Sequence, residues 1–544
     1  MWLFRRDSGL AAGSLPSNIE KLLRNRIALW EKIRSVTGQP GMSIGVISQG
    51  QEVLKHNAGV IDTTTTTGRT PNSDTLYCIA SLSKAFMAAS LDILVRKGKA
   101  SWDSTVQSIL PEFCHNQKSA EYQGMTLRDI CSHRTGLLSL DEITQGLDGR
   151  ILIDKKDVVK VCNAMPIKHD LRSGFLYNNG LYELAGHIVE KLSGYSNWGD
   201  FQRDHIFEPL GMERTTAFKD SDTDKNFAKP YMILTDGTPS YIPPTELSAD
   251  SMNGGSGGIR SSVNDLLKWC HCLLASFGGG SSKTDAVVGH KSPIFNRCTI
   301  ADPEDAEAGD YCTGWCHHRT PAKLGLISPN RDLVSPVLGA ASPSLLLYGH
   351  QGDVPGYTCN IYVIPDSNSA VVVLSNGTGH GDATDWIAQD IIQTISGLQP
   401  EVDFLSAAKE AAKLYLDQYE VDFRDPLEKH RIDPSPSPAL EDFPGRYVMN
   451  NLNVAFIDVV LDTADSNNLQ MMVNGCQDQK LVLKHYNYDV FSHLPDSYDE
   501  CLKRALYRAD WLSVLIFFTR DDKGKVKGCY WNMNGVDVSF TRRG

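Results

Sequence analysis

The chain has 544 residues, more than one hydrophobic core usually serves, so two or three domains are expected. Its net charge is −12 with no densely basic stretch, which argues against nucleic acid as a partner. No run approaches the roughly 20 apolar residues that a membrane span needs. Hydrophobic residues make up 41% and charged ones 22%, the balance of a folded globular protein. The 13 cysteines are scattered and odd in number, which suits reduced thiols in a cytoplasmic protein better than a disulfide framework. Met1-Trp-Leu-Phe-Arg-Arg-Asp7 has its basic pair after the apolar start and no apolar run behind it, so it does not read as a secretory signal. Neither Cys270-His271-Cys272 nor Cys312-Thr-Gly-Trp-Cys316-His317-His318 has a matched pair of ligand spacings. No metal and no cofactor is expected.

In chain order, Ile19 to Val36 carries apolar residues at helical spacing and ends at Gly38. Gly41 to Ser48, Gly50, and Gln51 to Val60 read as a hairpin, and Thr63 to Thr67 as a polar loop. A short apolar run then reaches Ser81 and continues with helical spacing through Leu82, Ala85, Phe86, Leu91, Leu94 and Val95. This places Ser81 at the first turn of a buried helix with Lys84 three residues on, on the same face. A helix start offers unpaired N–H groups and partial positive charge to an oxyanion. A desolvated lysine beside a hydroxyl loses its proton near neutral pH and helps activate it. Ser-x-x-Lys is also what a helix N-cap and a surface lysine look like, and it recurs at Ser406-Ala-Ala-Lys409 without the apolar lead-in.

Ser101 to Cys114 is loop-rich, and Met125 to Cys131 begins a short helix that stops at His133-Arg-Thr-Gly136. Phe175 to Gly180 is a turn before a helix whose stripe is Leu181, Leu184, Ala185, Ile188, Val189 and Leu192, closed by Gly194. Glycine-rich Ser251 to Gly258 leads to a helix from Val263 to Leu274, and residues 276–308 read as an insertion loop. Strands are expected at Tyr311 to Cys316, Asn360 to Pro365 and Ala370 to Leu374, then a helix from Asp385 to Ser396. Leu405 to His430 reads as a charged outer helix, and Asp433 to Pro438 as a stiff linker. Five short strands between Val454 and Asn532, separated by Asp, Asn and Gly, suggest a small antiparallel barrel.

Ser81-Leu-Ser-Lys84, Tyr177-Asn-Asn179 and His350-Gln-Gly352 stand in an order that resembles the serine β-lactamase and penicillin-binding-protein superfamily. The similarity is to its class C-like esterase, D-aminopeptidase and acyltransferase branch. Met125 to Leu137, Phe207-Glu-Pro-Leu-Gly-Met212, Gly257 to Leu266, Tyr311 to Trp315, Gly356-Tyr357, Ile364-Pro365 and Val371 to Asn376 continue the series. The resemblance covers about residues 25–398. It implies an α+β fold: an antiparallel sheet flanked by helices with a helical subdomain at about 80–250, all within residues 1–400. A helix and Pro/Ser linker at 401–439 and a lipocalin-like β-barrel at 440–544 would follow. In such relatives the barrel caps the cleft or mediates oligomerisation.

By the same resemblance Ser81 is the nucleophile and Lys84 and Tyr177 share the base role. Asn179 holds Lys84, although an asparagine there also fits a helix N-cap. His350, which as a lone histidine would more often be structural, faces Tyr177. The oxyanion donors are the backbone N–H groups of Ser81 and Asp353, and Gly352 permits close approach. Lys-Thr-Gly, which binds a carboxylate in true β-lactamases, is His350-Gln-Gly352 here; β-lactam hydrolysis and transpeptidation are not expected. The expected activity is a serine hydrolase acting through an acyl-enzyme on an ester, amide or thioester of a small metabolite, free or carrier-tethered. The alternatives are an acyltransferase using an alcohol or amine, as in secondary metabolism, and a non-catalytic binding protein. A homo-oligomer is compatible with the chain.

Overall fold

The computed structural model describes residues 15–64, 68–278, 282–506 and 510–543. The N-terminal stretch read for a signal, most of the Thr63 to Thr67 loop and the Gly279–Ser281 piece of the insertion lie outside the described residues. Helix α1 runs from Leu15–Thr37 and ends at Gly38, whose φ of +79° a glycine adopts without steric cost. Hairpin strands β1, Gly41–Ser48, and β2, Gln51–Gly59, follow. Helix α2, Ser83–Arg96, begins just past Ser81, and helix α3, Gly180–Ser193, just past Asn179. Helix α4 is Val263–Gly278.

Six further strands complete the main sheet: β3 Thr299–Ile300, β4 Asp310–Tyr311, β5 Cys316–Arg319, β6 Leu346–Val354, β7 Tyr357–Ile364 and β8 Ser369–Ser375. The order across it is β2-β1-β8-β7-β6-β5-β4-β3, every neighbour antiparallel. The strand expected from Tyr311 to Cys316 is therefore two strands around a turn, with Gly314 at φ +77°. The expected insertion loop holds a helix at Ser282–Val287 and strand β3.

Strands β1 and β8 are buried on both faces, which explains their nearly unbroken apolar runs. Alternation sends Val371 and Val373 into one core with Trp30 of α1, and Val372 and Leu374 into another with Leu266 and Leu267 of α4. Helix α5, Ala383–Ser396, supplies Trp386, Ile387 and Ile391 to the first core. Helix α6, Phe404–Gln418, adds Phe404, Ala408 and Ala411. The charged helix read as lying outside is thus half core.

Eight antiparallel strands from Gly445–Met449 to Val536–Arg543 close into a barrel, the last pairing with the first from Arg446↔Arg543 to Met449↔Phe540. Phe443, Tyr447, Phe491 and Phe518 meet edge-on inside it. The barrel sits against the helical side of the main unit. Asn474 Nδ2 donates to the Leu152 carbonyl at 3.0 Å, Lys168 Nζ to that of Asn534 at 2.8 Å, and Arg150 pairs with Asp478 at 3.3 Å. No helix among the described residues is long and apolar enough to cross a membrane.

Candidate active site

Ser81 lies in a single turn of 3-10 helix, Ala80–Leu82, that runs straight into α2. The residue before it, Ala80, has φ +48°, a left-handed conformation that costs a non-glycine residue about 1–2 kcal/mol. That bend turns Ser81 out of the core while Ala80 and Leu82 stay buried. The Ser81 backbone N–H has no protein acceptor among the described residues, as expected at a helix start.

The buried Lys84 Nζ reaches three oxygens: Ser81 Oγ at 3.0 Å, Asn179 Oδ1 at 2.9 Å and the Ser256 carbonyl at 3.0 Å. Tyr177 places its hydroxyl 2.9 Å from Ser81 Oγ, and Lys84 Nζ lies 4.6 Å from the centre of its ring. Burial brings the Lys84 ammonium down to about 7, against a smaller opposing pull from Asp141. A large fraction is then the free amine at neutral pH, able to accept the serine proton at the same distance.

Asn179 is held by the rest of its amide: Nδ2 donates to Asp141 Oδ2 at 2.9 Å. Asp141 in turn accepts from Ser139 Oγ at 2.9 Å and Asn253 Nδ2 at 3.2 Å. Asn179 stands at the N-cap position of α3 but its side chain makes no cap bond; the neighbouring Asn178 Oδ1 accepts from Leu181 N at 3.0 Å. Asp141 and Asn253 were not singled out from the sequence; neither belongs to a spaced motif, and only the fold brings them to Asn179.

His350 is fully buried on β6, and both ring nitrogens are engaged. Nδ1–H donates to the Gln351 carbonyl at 2.6 Å, so Nε2 accepts from the Tyr311 hydroxyl at 2.9 Å. Its ring centre is 6.4 Å from that of Tyr177, and burial takes it down to about 3, with Lys84 adding to the shift. The imidazole is thus neutral and anchored to Tyr311, rather than poised over the serine. His133 joins the stack, 4.2 Å from Tyr177 and 4.8 Å from Tyr311 between ring centres.

The side chain of Gln351 points to the opposite face of the strand, where Nε2 donates to Tyr362 Oη at 2.9 Å and Oε1 accepts from Ile327 N at 3.1 Å. Gly352 is back on the site face. A Cβ there would stand 2.5 Å from the Ile79 carbonyl oxygen and 3.3 Å from Ser81 N. Gly352→Ala is therefore expected to push β6 away from the serine turn and misplace the Asp353 backbone N–H. On the expectation that this N–H is an oxyanion donor, whose loss costs about 10²–10³ in rate, kcat on an activated ester should fall by about 10² or more, read by steady-state kinetics.

A cavity of about 320 Å³ opens at Ser81. Asp141, Glu142 and Asp353 line it, and among the described residues no lysine or arginine does. Its roof comes from the barrel: Val473, Gln479, Leu481, His493 and Trp531. Burial, with Asp141 beside it, pushes the Glu142 carboxyl up to about 7.

A beta-lactamase family model matches residues 27–394. The chain is 28% identical over 387 residues to unguisins hydrolase ungD of Aspergillus violaceofuscus, covering 67% of this chain and 62% of that protein. To penicillin-binding protein 4* of Bacillus subtilis it is 25% identical over 343 residues, covering 60% and 66%. The chain therefore spans less than two thirds of the length of these curated relatives. The structure of the octameric penicillin-binding protein homologue from Pyrococcus abyssi superposes with a TM-score of 0.54 at 20% identity, over 97% of this chain and 98% of that one. That likeness bears on the fold and includes the region of the barrel.

Proposed function

The chain belongs to the beta-lactamase family, and on that premise we propose that it is a serine hydrolase working through an acyl-enzyme on Ser81. The observation that carries this reading is the approach of Lys84 Nζ and the Tyr177 hydroxyl, at 3.0 and 2.9 Å, to the one oxygen of Ser81. In the first half-reaction the Ser81 proton passes to neutral Lys84 while Oγ bonds to the substrate carbonyl carbon. The oxyanion that forms is met by the N–H groups of Ser81 and Asp353. The bond to the leaving group then breaks as Tyr177 delivers a proton to it, and Lys84 restores the proton to Tyr177. Water repeats the sequence on the resulting ester and frees Ser81. Asn179, fixed by Asp141, keeps Lys84 aimed at the serine, and His350 positions Tyr311 beside the phenol of Tyr177.

The substrate this cleft favours is a neutral ester or amide with an apolar body. Asp141, Glu142 and Asp353 line it, Gln351 points away from it, and among the described residues no lysine or arginine lines it. The barrel roof favours a second acceptor besides water, since a covered cavity limits solvent access to the acyl-enzyme. Partition of the acyl group separates the two. With a p-nitrophenyl ester, hydrolysis alone predicts free acid whether or not an amine or alcohol is added. Acyl transfer predicts that the added nucleophile captures most of the acyl group. Release of p-nitrophenol no faster than from Ser81→Ala would contradict both.

A further inference from the structure

The turn His133-Arg-Thr-Gly136, just past the short helix Leu127–Cys131, lies against the segment that carries Tyr177. The His133 carbonyl accepts from Leu176 N at 2.7 Å, and its ring Nδ1 accepts from Asn178 N at 3.1 Å. One histidine thus holds the backbone on both sides of Tyr177. Its φ of +56° is left-handed, a conformation that costs a non-glycine residue about 1–2 kcal/mol. The turn is itself tied down. Arg172 N donates to the Arg134 carbonyl at 2.7 Å, and Asp129 accepts from the guanidinium groups of Arg134 and Arg172 at 2.6 Å each.

His133 is fully buried, its ring 4.2 Å from that of Tyr177 and tilted 38° to it. A backbone N–H only donates, so Nδ1 is the acceptor and the ring proton sits on Nε2. Nε2–H has no acceptor among the described residues, a cost that a phenyl ring in the same place would not carry. What a histidine adds here over an apolar ring is therefore the Nδ1 bond to Asn178. Burial, with Lys84 and His350 adding to it, holds the imidazole well below its usual range. The ring is neutral at neutral pH, and Nδ1 stays an acceptor.

We propose that His133 is a positioning residue for Tyr177: its Nδ1 bond to Asn178 sets the backbone that aims the phenol at the leaving group. This rests on the acyl-enzyme reading above and adds to it the group that places the proton donor. Lys84 does not depend on the same bond. Its partner Asn179 is held separately, by Asp141 at 2.9 Å and through its own N–H by Ser139 Oγ at 3.2 Å. Loss of the His133 bond should therefore spare removal of the Ser81 proton and impair protonation of the leaving group. When the carbon–oxygen bond breaks, its electron pair goes to the leaving oxygen. An alkoxide needs the Tyr177 proton at that moment, whereas p-nitrophenolate departs without it.

The test compares kcat/KM, which reports acylation, for the p-nitrophenyl and ethyl esters of butyric acid. His133→Asn puts an amide oxygen where Nδ1 stood and tolerates the left-handed backbone. His133→Gln carries its amide to the Nε2 position instead. Misplacing a reacting group by about 1 Å costs about 10² in rate. His133→Gln should thus lower kcat/KM for the ethyl ester by about 10² relative to the p-nitrophenyl ester, while His133→Asn keeps the wild-type ratio. Partial unfolding lowers both esters alike, so a merely structural role would not move the ratio. An unchanged ratio in His133→Gln, or the same selective loss in His133→Asn, overturns the proposal; the Asn variant decides alone where the Gln variant does not fold. A wild-type protein that turns over the p-nitrophenyl ester through Ser81 and leaves the ethyl ester untouched overturns it too, since no proton is then delivered. These outcomes sink this inference alone, whereas no Ser81-dependent turnover of either ester sinks the acyl-enzyme reading beneath it.

Discussion

Ser81→Ala is expected to lower kcat on any activated ester by about 10⁵–10⁶, the scale on which removal of a single acylating serine silences a hydrolase. The loss should be total for the covalent route, because among the described residues no other hydroxyl replaces Ser81 Oγ between Lys84 Nζ and Tyr177. Substrate binding should survive, since the cavity walls are untouched and a methyl group fits where the hydroxyl was. The signature is thus a collapse in kcat at nearly constant affinity, measured by pre-steady-state burst and by equilibrium binding of a slow amide analogue. A variant that kept even a hundredth of the wild-type burst would mean that another group carries the acyl chain.

Lys84→Met should cost about 10²–10⁴ in kcat, the range spanned by general-base catalysis, and it should change two pH profiles. With the amine at about 7, wild-type activity rises with pH through that value as the base loses its proton, and the variant's residual activity lacks that limb. Stability follows the same titration with a definite sign. In the unfolded chain the lysine returns to its ordinary 10.5. Between about 7 and 10.5 the unfolded state therefore binds a proton at Lys84 that the native state does not, and the contribution of Lys84 to stability rises with pH across the window. Below about 7 both states are protonated, and the native fold bears the full cost of a buried ammonium. The melting temperature of wild type minus that of Lys84→Met should thus climb as pH increases from about 7 toward about 10. A flat difference would place the lysine's folded titration near its ordinary value and remove the case for it as a base.

The two-part architecture was legible because its signals are local. Unbroken apolar runs such as Val371 to Leu374 belong to strands covered on both faces. Short strands between Asp, Asn and Gly mark the barrel, although three of its eight went unread. Val490–Ser492 is too short to show a period, while Gly445–Met449 and Val536–Arg543 close the barrel and are paired only once the chain ends meet. In the site, motif order was enough to bring the side chains of Ser81, Lys84, Tyr177 and Asn179 into consideration together. Three properties of the site depend on tertiary docking and left no trace in spacing. Asp141 and Asn253 converge on Asn179 from separate loops. The proton of His350 is committed to a neighbouring carbonyl, so the ring serves Tyr311. The roof with His493 and Trp531 exists only because the barrel seats on Leu152, Lys168 and Glu142. The left-handed Ala80 was equally hidden, since an alanine before a serine carries no mark of a bent backbone.

Intact mass after incubation with a fluorophosphonate, followed by mapping of the labelled peptide, tests most directly whether the three side chains make one activated hydroxyl. One adduct per chain on the peptide bearing Ser81, absent in Ser81→Ala and formed faster as pH rises through about 7, is the predicted result. A wild-type chain that gains no mass, or gains it at another residue, would contradict the account.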